Sequence, residues 1–340
     1  MKHLKRRALI SAVLLCAVNA PAQAGLFDKT PKPVVLEVQG NRAEEFKQLV
    51  RDDSALEKVA KLGSPETANV AIAKVRLSFA TQSSAASTEG RPGGKTNSQY
   101  VDYNVLNVSK EDVQKMADIF YADLAKLLAS KGYVVQQPSY LLGDPKFADA
   151  ASQMKSPVES EALVKKEKSV TAFAKNTVNF SGLGNGGMDY YALSKAKSDS
   201  IILELDFDMD MVAIKKASDS GNWFQWKQIE HKPALHVKSG YVRFHHDGKG
   251  TQFSFLEKVM LPGEVFSGAE KKATSATDTA AMVFGALMGA GGSSSSYNLT
   301  PVENFPDAIA KSLQPFAEVV IQAIPQAATA PQTAQPAAAQ

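Results

Sequence analysis

The sequence predicts an α+β protein, with a mixed, mostly antiparallel sheet and helices packed on it. Three observations predict it. An apolar stripe at helical spacing, Val113, Met116, Phe120, Leu124, Leu127 and Leu128, stands between two strand-like runs. From Ser200 to Met260 the apolar period falls to two, with turn residues between the runs. A second amphipathic stretch, Phe305 to Ile324, closes the patterned part of the chain.

The elements follow in order. Lys2, Lys5, Arg6 and Arg7 precede an apolar run from Ala8 to Val18 and then Ala22-Gln23-Ala24, the three parts of a secretory signal peptide, so residues 1–24 read as a leader. The apolar run is about half of the roughly 20 residues that span a bilayer. Cys16, the one cysteine, lies inside this leader behind Leu14 and Leu15, where a lipoprotein signal carries a small residue. Cleavage after Ala24 leaves a chain with no cysteine, excluding disulfides, thiolate ligands and a cysteine nucleophile. Of the 38 basic residues four lie in the leader, which leaves 34 against 35 acidic ones. That balance argues against a nucleic-acid partner, which calls for a clustered basic face.

Residues 25–66 form an N-terminal helical segment, with Val34 to Val38 as an edge strand and Asn41 to Leu62 as a helix stopped by Gly63 and Pro65. Residues 67–324 form the main domain. Val70 to Phe79 is a strand in which Val75, Leu77 and Phe79 alternate with Lys74, Arg76 and Ser78. Gln82 to Asn97, around Pro92-Gly93-Gly94, reads as a flexible loop. Ser109 and Asp112 make a capping box for the helix that ends at Gly132, and Tyr133 to Val135 is a strand, giving a βαβ-like unit. Lys165 to Lys168 reads as a solvated helical face. Met188 to Lys197 is a short helix and Ser200 to Lys216 the longest strand. Ala234 to Phe244 and Thr251 to Met260 are further strands, joined by the turn His246 to Gly250. Residues 267–298 are a Gly/Ser-rich insertion, and 325–340, built only of Pro, Gln, Ala and Thr, is a disordered tail.

Within this frame the candidate sites are few. Glu204, Asp206, Asp208 and Asp210 alternate with Leu203, Leu205, Phe207, Met209 and Met211. An EF-hand counted from Asp206 would need glycine and glutamate where Met211 and Ala217 stand, so the row reads as a solvated or partner-facing strand surface, with Asp206 and Asp208 as its candidates. Gly182-Leu183-Gly184-Asn185-Gly186-Gly187 matches the spacing of a dinucleotide loop, but the residues before it are too polar for a central parallel strand. His231, His236, His245 and His246 could ligate zinc or copper, although their spacing is loose for ligands on one element. No serine sits in a Gly-x-Ser-x-Gly elbow. Trp223, Phe224 and Trp226 beside one hairpin turn could anchor a partner, and the patch Ala280 to Ala290, with Phe284 and Leu287, is long enough to dock on a subunit or a bilayer surface.

In the order Val70 to Phe79, Lys110 to Lys131, Gly132, Tyr133 to Gln136, then Ala192 to Lys197, Ser198-Asp199-Ser200 and Ile201 to Ile214, the chain resembles a known periplasmic domain. It is the one shared by the curli-secretion lipoprotein, the penicillin-binding-protein activator lipoprotein and flagellar accessory proteins. The lipidated cysteine of those lipoproteins is missing, and residues 267–297 have no obvious counterpart. The resemblance implies a non-enzymatic protein with no catalytic residue, which binds other envelope proteins or a second copy of itself. The expectation is therefore a periplasmic, outer-membrane-associated accessory or assembly protein without cofactors. The alternative is a periplasmic metal- or ligand-binding protein using the histidines or the acidic strand.

Overall fold

Period-two alternation builds the middle of the molecule, and two amphipathic helices cover it. The structure, a computed structural model, describes residues 34–35, 69–90, 96–143, 145, 158–162, 167–177, 186–216, 230–254, 259–261, 264–272 and 291–322. The strands are β1 (Val34–Val35), β2 (Asn69–Gly90), β3 (Thr96–Val105), β4 (Val134–Val135), β5 (Val158–Ala162), β6 (Glu167–Phe173), β7 (Ser200–Lys216), β8 (Glu230–His246), β9 (Lys249–Ser254), β10 (Val259–Met260), β11 (Phe266–Lys271) and β12 (Gly291–Pro301). The helices are α1 (Lys110–Ser130), α2 (Pro138–Leu142), α3 (Gly186–Ala196) and α4 (Phe305–Gln322).

One mixed sheet runs in the order β1-β10-β8-β7-β2-β3-β12-β11, with β4 and β6 also on β2, β5 on β6 and β9 on β8. Parallel pairs are β1 with β10, β2 with β4, β2 with β7 and β3 with β12, and the remaining pairs are antiparallel. The α+β class with a mostly antiparallel sheet is what the sequence predicts.

Helix α1 starts where expected. Ser109 Oγ accepts from the Asp112 N–H at 3.1 Å while the Asp112 carboxylate accepts from the Ser109 N–H at 2.9 Å, so two helix-end donors are satisfied. Gly132, at φ 86°, ends the helix with a backbone that side chains disfavour. The apolar stripe of α1 and that of α4 meet one sheet face. There Val75, Leu77, Phe79, Leu203, Leu205, Phe207, Phe120, Leu124, Leu313 and Phe316 form one buried core. Phe207 sits at its centre, edge-on to Phe120 at 5.9 Å and to Phe316 at 4.8 Å. Each such side chain contributes about 1.5–3 kcal/mol by leaving water.

A bulge keeps that face apolar. Ile72 pairs with Leu203 and Lys74 with Glu204, so Ala73 is an extra residue in β2. The slip brings Val75, Leu77 and Phe79 onto the face already occupied by Val70 and Ile72, and turns Ala71, Ala73, Lys74 and Arg76 to the other. On that second face Ala71, Ala73 and Ile202 pack with Leu141, Tyr190 and Leu193 of α2 and α3, a smaller buried cluster.

The structure corrects two expectations. Residues 82–90 and 96–97 are not a loop: β2 continues to Gly90 and pairs antiparallel with β3, from Gln82 opposite Asn104 to Gly90 opposite Thr96. Serines, threonines and glycines hid the strands because backbone pairing with β3 and β12, not side-chain alternation, forms them. Glu167 and Lys168 lie in strand β6 rather than on a helix, since β5 and β6 form a hairpin. Within the 267–298 insertion, β11 and the serine-rich start of β12 are strands, and β12 runs parallel to β3 from Gly291 to Leu299. Residues 41–62, expected to be helical, lie outside the described residues.

Candidate functional site on the charged sheet face

The alternation of β7 points Glu204, Asp206, Asp208 and Asp210 away from the main core. Register supplies their neighbours. From β2, Lys74 lies beside Glu204, Arg76 beside Asp206 and Ser78 beside Asp208. From β8, Arg243 lies opposite Glu204, Tyr241 opposite Asp206, Ser239 opposite Asp208 and His236 opposite Asp210. A second bulge, at Lys238, keeps Val237 and Met209 in the core while Ser239 and His236 stay on the charged face.

The contacts are direct. Lys74 Nζ donates to Asp206 Oδ2 at 2.6 Å and to the Tyr241 hydroxyl at 2.9 Å. Arg76 Nη1 bridges two carboxylates, Asp206 and, at 3.0 Å, Asp208, whose other oxygen accepts from Ser239 Oγ at 2.7 Å. Glu204 Oε1 meets His245 Nε2 at 2.5 Å and Arg243 Nη1 at 3.5 Å. Lys238 Nζ lies 3.5 Å from Asp210 and 3.6 Å from Glu167. The Arg243 guanidinium also covers the Tyr241 ring at 4.7 Å and bonds Gln252 of β9.

The expectation of a solvated acidic face is corrected for three of its four carboxylates, the Asp208 side chain being 42% exposed. Glu204 is 1% exposed, and Asp206 and Asp210 are also buried. Burial of a carboxylate is strongly unfavourable unless cations and donors surround it, and here they come from the two flanking strands. Burial opposes the charge on Lys74, but the Asp206 carboxylate and the Tyr241 hydroxyl outweigh it and raise the pKa above its ordinary value. Arg76 behaves alike, with burial outweighed by Asp206 and Asp208. Tyr241 ionises later than usual, chiefly through burial.

The four histidines do not converge. His236 and His245 stand nine residues apart on β8, roughly 30 Å along a strand, and His246 alternates to the other side from His245. The backbone of His231 lies in β8. Among the described residues no group of three or more His, Cys, Asp or Glu is placed to hold a metal ion. His245 is fixed in place: Nε2 bonds to Glu204, and Tyr190 of α3 stacks on the ring at 6.2 Å. Its buried Nδ1 faces Gly250, where an added Cβ would stand 3.0 Å away, and has no hydrogen-bond partner. The turn beyond it, Asp247-Gly248, has positive φ at both residues, as a two-residue hairpin loop needs. Gly248 N–H donates to Ser194 Oγ at 3.2 Å, which ties the hairpin to α3.

Trp223, Phe224, Trp226, Phe284 and Leu287 lie outside the described residues. Sequence reasoning missed Lys74, Arg76, Tyr241, Arg243 and Lys238 as partners of the acidic row. A signal for the first two was present, because Lys74 and Arg76 alternate with the apolar residues of β2 as the carboxylates do in β7. Comparison of the chain with protein-family models, with curated proteins and with solved structures found no match.

Proposed function

We propose that the protein is an exported, non-enzymatic accessory or assembly protein of a cell envelope, acting through contacts with other envelope proteins or with further copies of itself. The observation that carries this reading is the internal neutralisation of the charged face. Glu204, Asp206 and Asp208 each bond to Lys74, Arg76, Arg243, His245 or Ser239 of the same chain, so these side chains hold strands together. Export rests on the basic, apolar and small-residue order of residues 1–24. The resemblance in element order to the curli-secretion and penicillin-binding-protein activator group supports the same reading, as does the aromatic hairpin at Trp223, Phe224 and Trp226. Periplasmic, outer-membrane-associated residence follows from it.

The experiment is a pull-down from envelope extracts with the parent protein and with Trp223→Ala/Phe224→Ala, folding being checked by circular dichroism. Loss of a captured partner or of self-assembly supports the reading, and an unchanged partner list and assembly state in a folded variant overturns it. The rival, a metal- or ligand-binding periplasmic protein, draws on the Glu204–His245 pair, since a carboxylate often orients an imidazole ligand from behind. Stoichiometric metal in untagged, purified protein would favour that rival.

A further inference from the structure

We propose that Ser83 and Tyr103 line an internal hydration site at the seam where β2 changes partner strands. Register sets the seam. Along one edge of β2, β7 pairs as far as Phe79 opposite Met209 and β3 begins at Gln82 opposite Asn104, while β6 on the other edge reaches Gln82 opposite Lys168. The ladder slips at Thr81, just before this exchange, and such a slip leaves backbone groups out of step with the neighbouring strand.

Ser83 stands directly opposite Tyr103 in the new ladder, so the two side chains share a face. Both residues are 1% exposed. Neither the Ser83 Oγ nor the Tyr103 hydroxyl meets a hydrogen-bonding group of the protein. The Tyr103 ring is held from its other side by Tyr297, its register partner on β12, with centroids 6.1 Å apart and planes 29° apart.

Two orphaned hydroxyls on directly paired residues call for a common cause, because nearly all buried polar groups in folded proteins are partnered. Each unsatisfied one lowers the folding equilibrium constant roughly tenfold. Interior waters make about three hydrogen bonds to such groups, and each hydroxyl can both donate and accept. Burial, and then the neighbouring Tyr297, keep the Tyr103 hydroxyl protonated. Two uncharged hydroxyls suit a neutral guest, which is water.

The test is a double-mutant cycle on the full chain with Tyr103→Phe, Ser83→Ala and both together, read by chemical denaturation. With a shared water each single change raises the unfolding equilibrium constant roughly fivefold, and the double change raises it by less than the product of the two. If Tyr103→Phe is as stable as the parent or more so, the hydroxyl has no guest and the proposal is overturned. Strictly multiplicative effects overturn the single shared site. Should the variants fail to fold, a crystal structure of the parent decides: an ordered water within about 3.2 Å of both oxygens supports the site, and anything less overturns it.

Discussion

The two faces of strand β7 both bury side chains and use opposite physics. On one face Leu203, Leu205, Phe207 and Met209 lie under α1 and α4 and gain from leaving water. On the other, Glu204, Asp206 and Asp210 are buried too, but only because Lys74, Arg76, Arg243, His245 and Lys238 from neighbouring strands reach them. An apolar contact tolerates a neighbour of roughly the right size, whereas a buried carboxylate needs a donor at a particular register. The difference suggests a division of labour. The apolar face supplies most of the stability, and the charged face fixes which strand lies beside β7 and in which register.

That division can be broken or sharpened by experiment. The largest effect is expected in the apolar face: Phe207→Ala should lower the free energy of unfolding by about 3–5 kcal/mol in a denaturant titration. Asp206→Ala comes next. It strands Lys74 and Arg76 beside a gap, and since both cations keep some access to water, a loss of about 2–4 kcal/mol is expected by the same measurement. Replacing Lys74, Arg76 and Asp206 together by apolar residues of similar size should cost less than Asp206→Ala alone. An equal or greater loss would show that the ion pairs stabilise as well as specify.

Alkaline titration reads both faces at once. Burial pushes the hydroxyl of Tyr133, in the core, up to about 12 from an ordinary 10.0, and Lys74 on the charged face is raised above 10.5. In both cases the folded protein holds the proton more tightly than the unfolded chain. The stability this contributes is whole below the unfolded values and drains away as pH rises through the folded ones. Melting temperature should therefore fall from pH 10 upward, and Tyr133→Phe should shallow the fall between pH 10 and 12. The smallest effect belongs to neither face: Lys115→Ala removes an ion pair to Asp307 in which both side chains are 54% exposed, and should change stability by less than about 1 kcal/mol.

Much of the apolar face was legible in the sequence. The stripes of α1 and α4 and the alternation of β7 each need only one segment to be read, and each stands where predicted. The bulge at Ala73 was half visible, since Val70 and Ile72 fall out of phase with Val75, Leu77 and Phe79. The charged face was legible only one strand at a time. Asp206 showed itself as one of an acidic row and Arg76 as one of a basic row, but that they meet depends on a parallel pairing between segments 130 residues apart. A solvated face and a neutralised one have the same sequence pattern until that pairing is known. The strands at 82–90 and 291–296 were illegible for another reason, because serine and glycine carry no period.

The parallel pairing of β12 with β3 sets the order of assembly in time. Asn104 and Asn298 sit side by side across this ladder although 194 residues separate them along the chain. Antiparallel hairpins such as β8 and β9 can close as soon as their few residues exist, whereas β3 must wait until β12 has been made and brought back. Contacts of such long span slow folding, so the β3–β12 ladder should be among the last parts to gain protection in pulsed hydrogen exchange. Under the export proposed above, a sheet that cannot close early would keep the chain threadable until it has crossed the membrane.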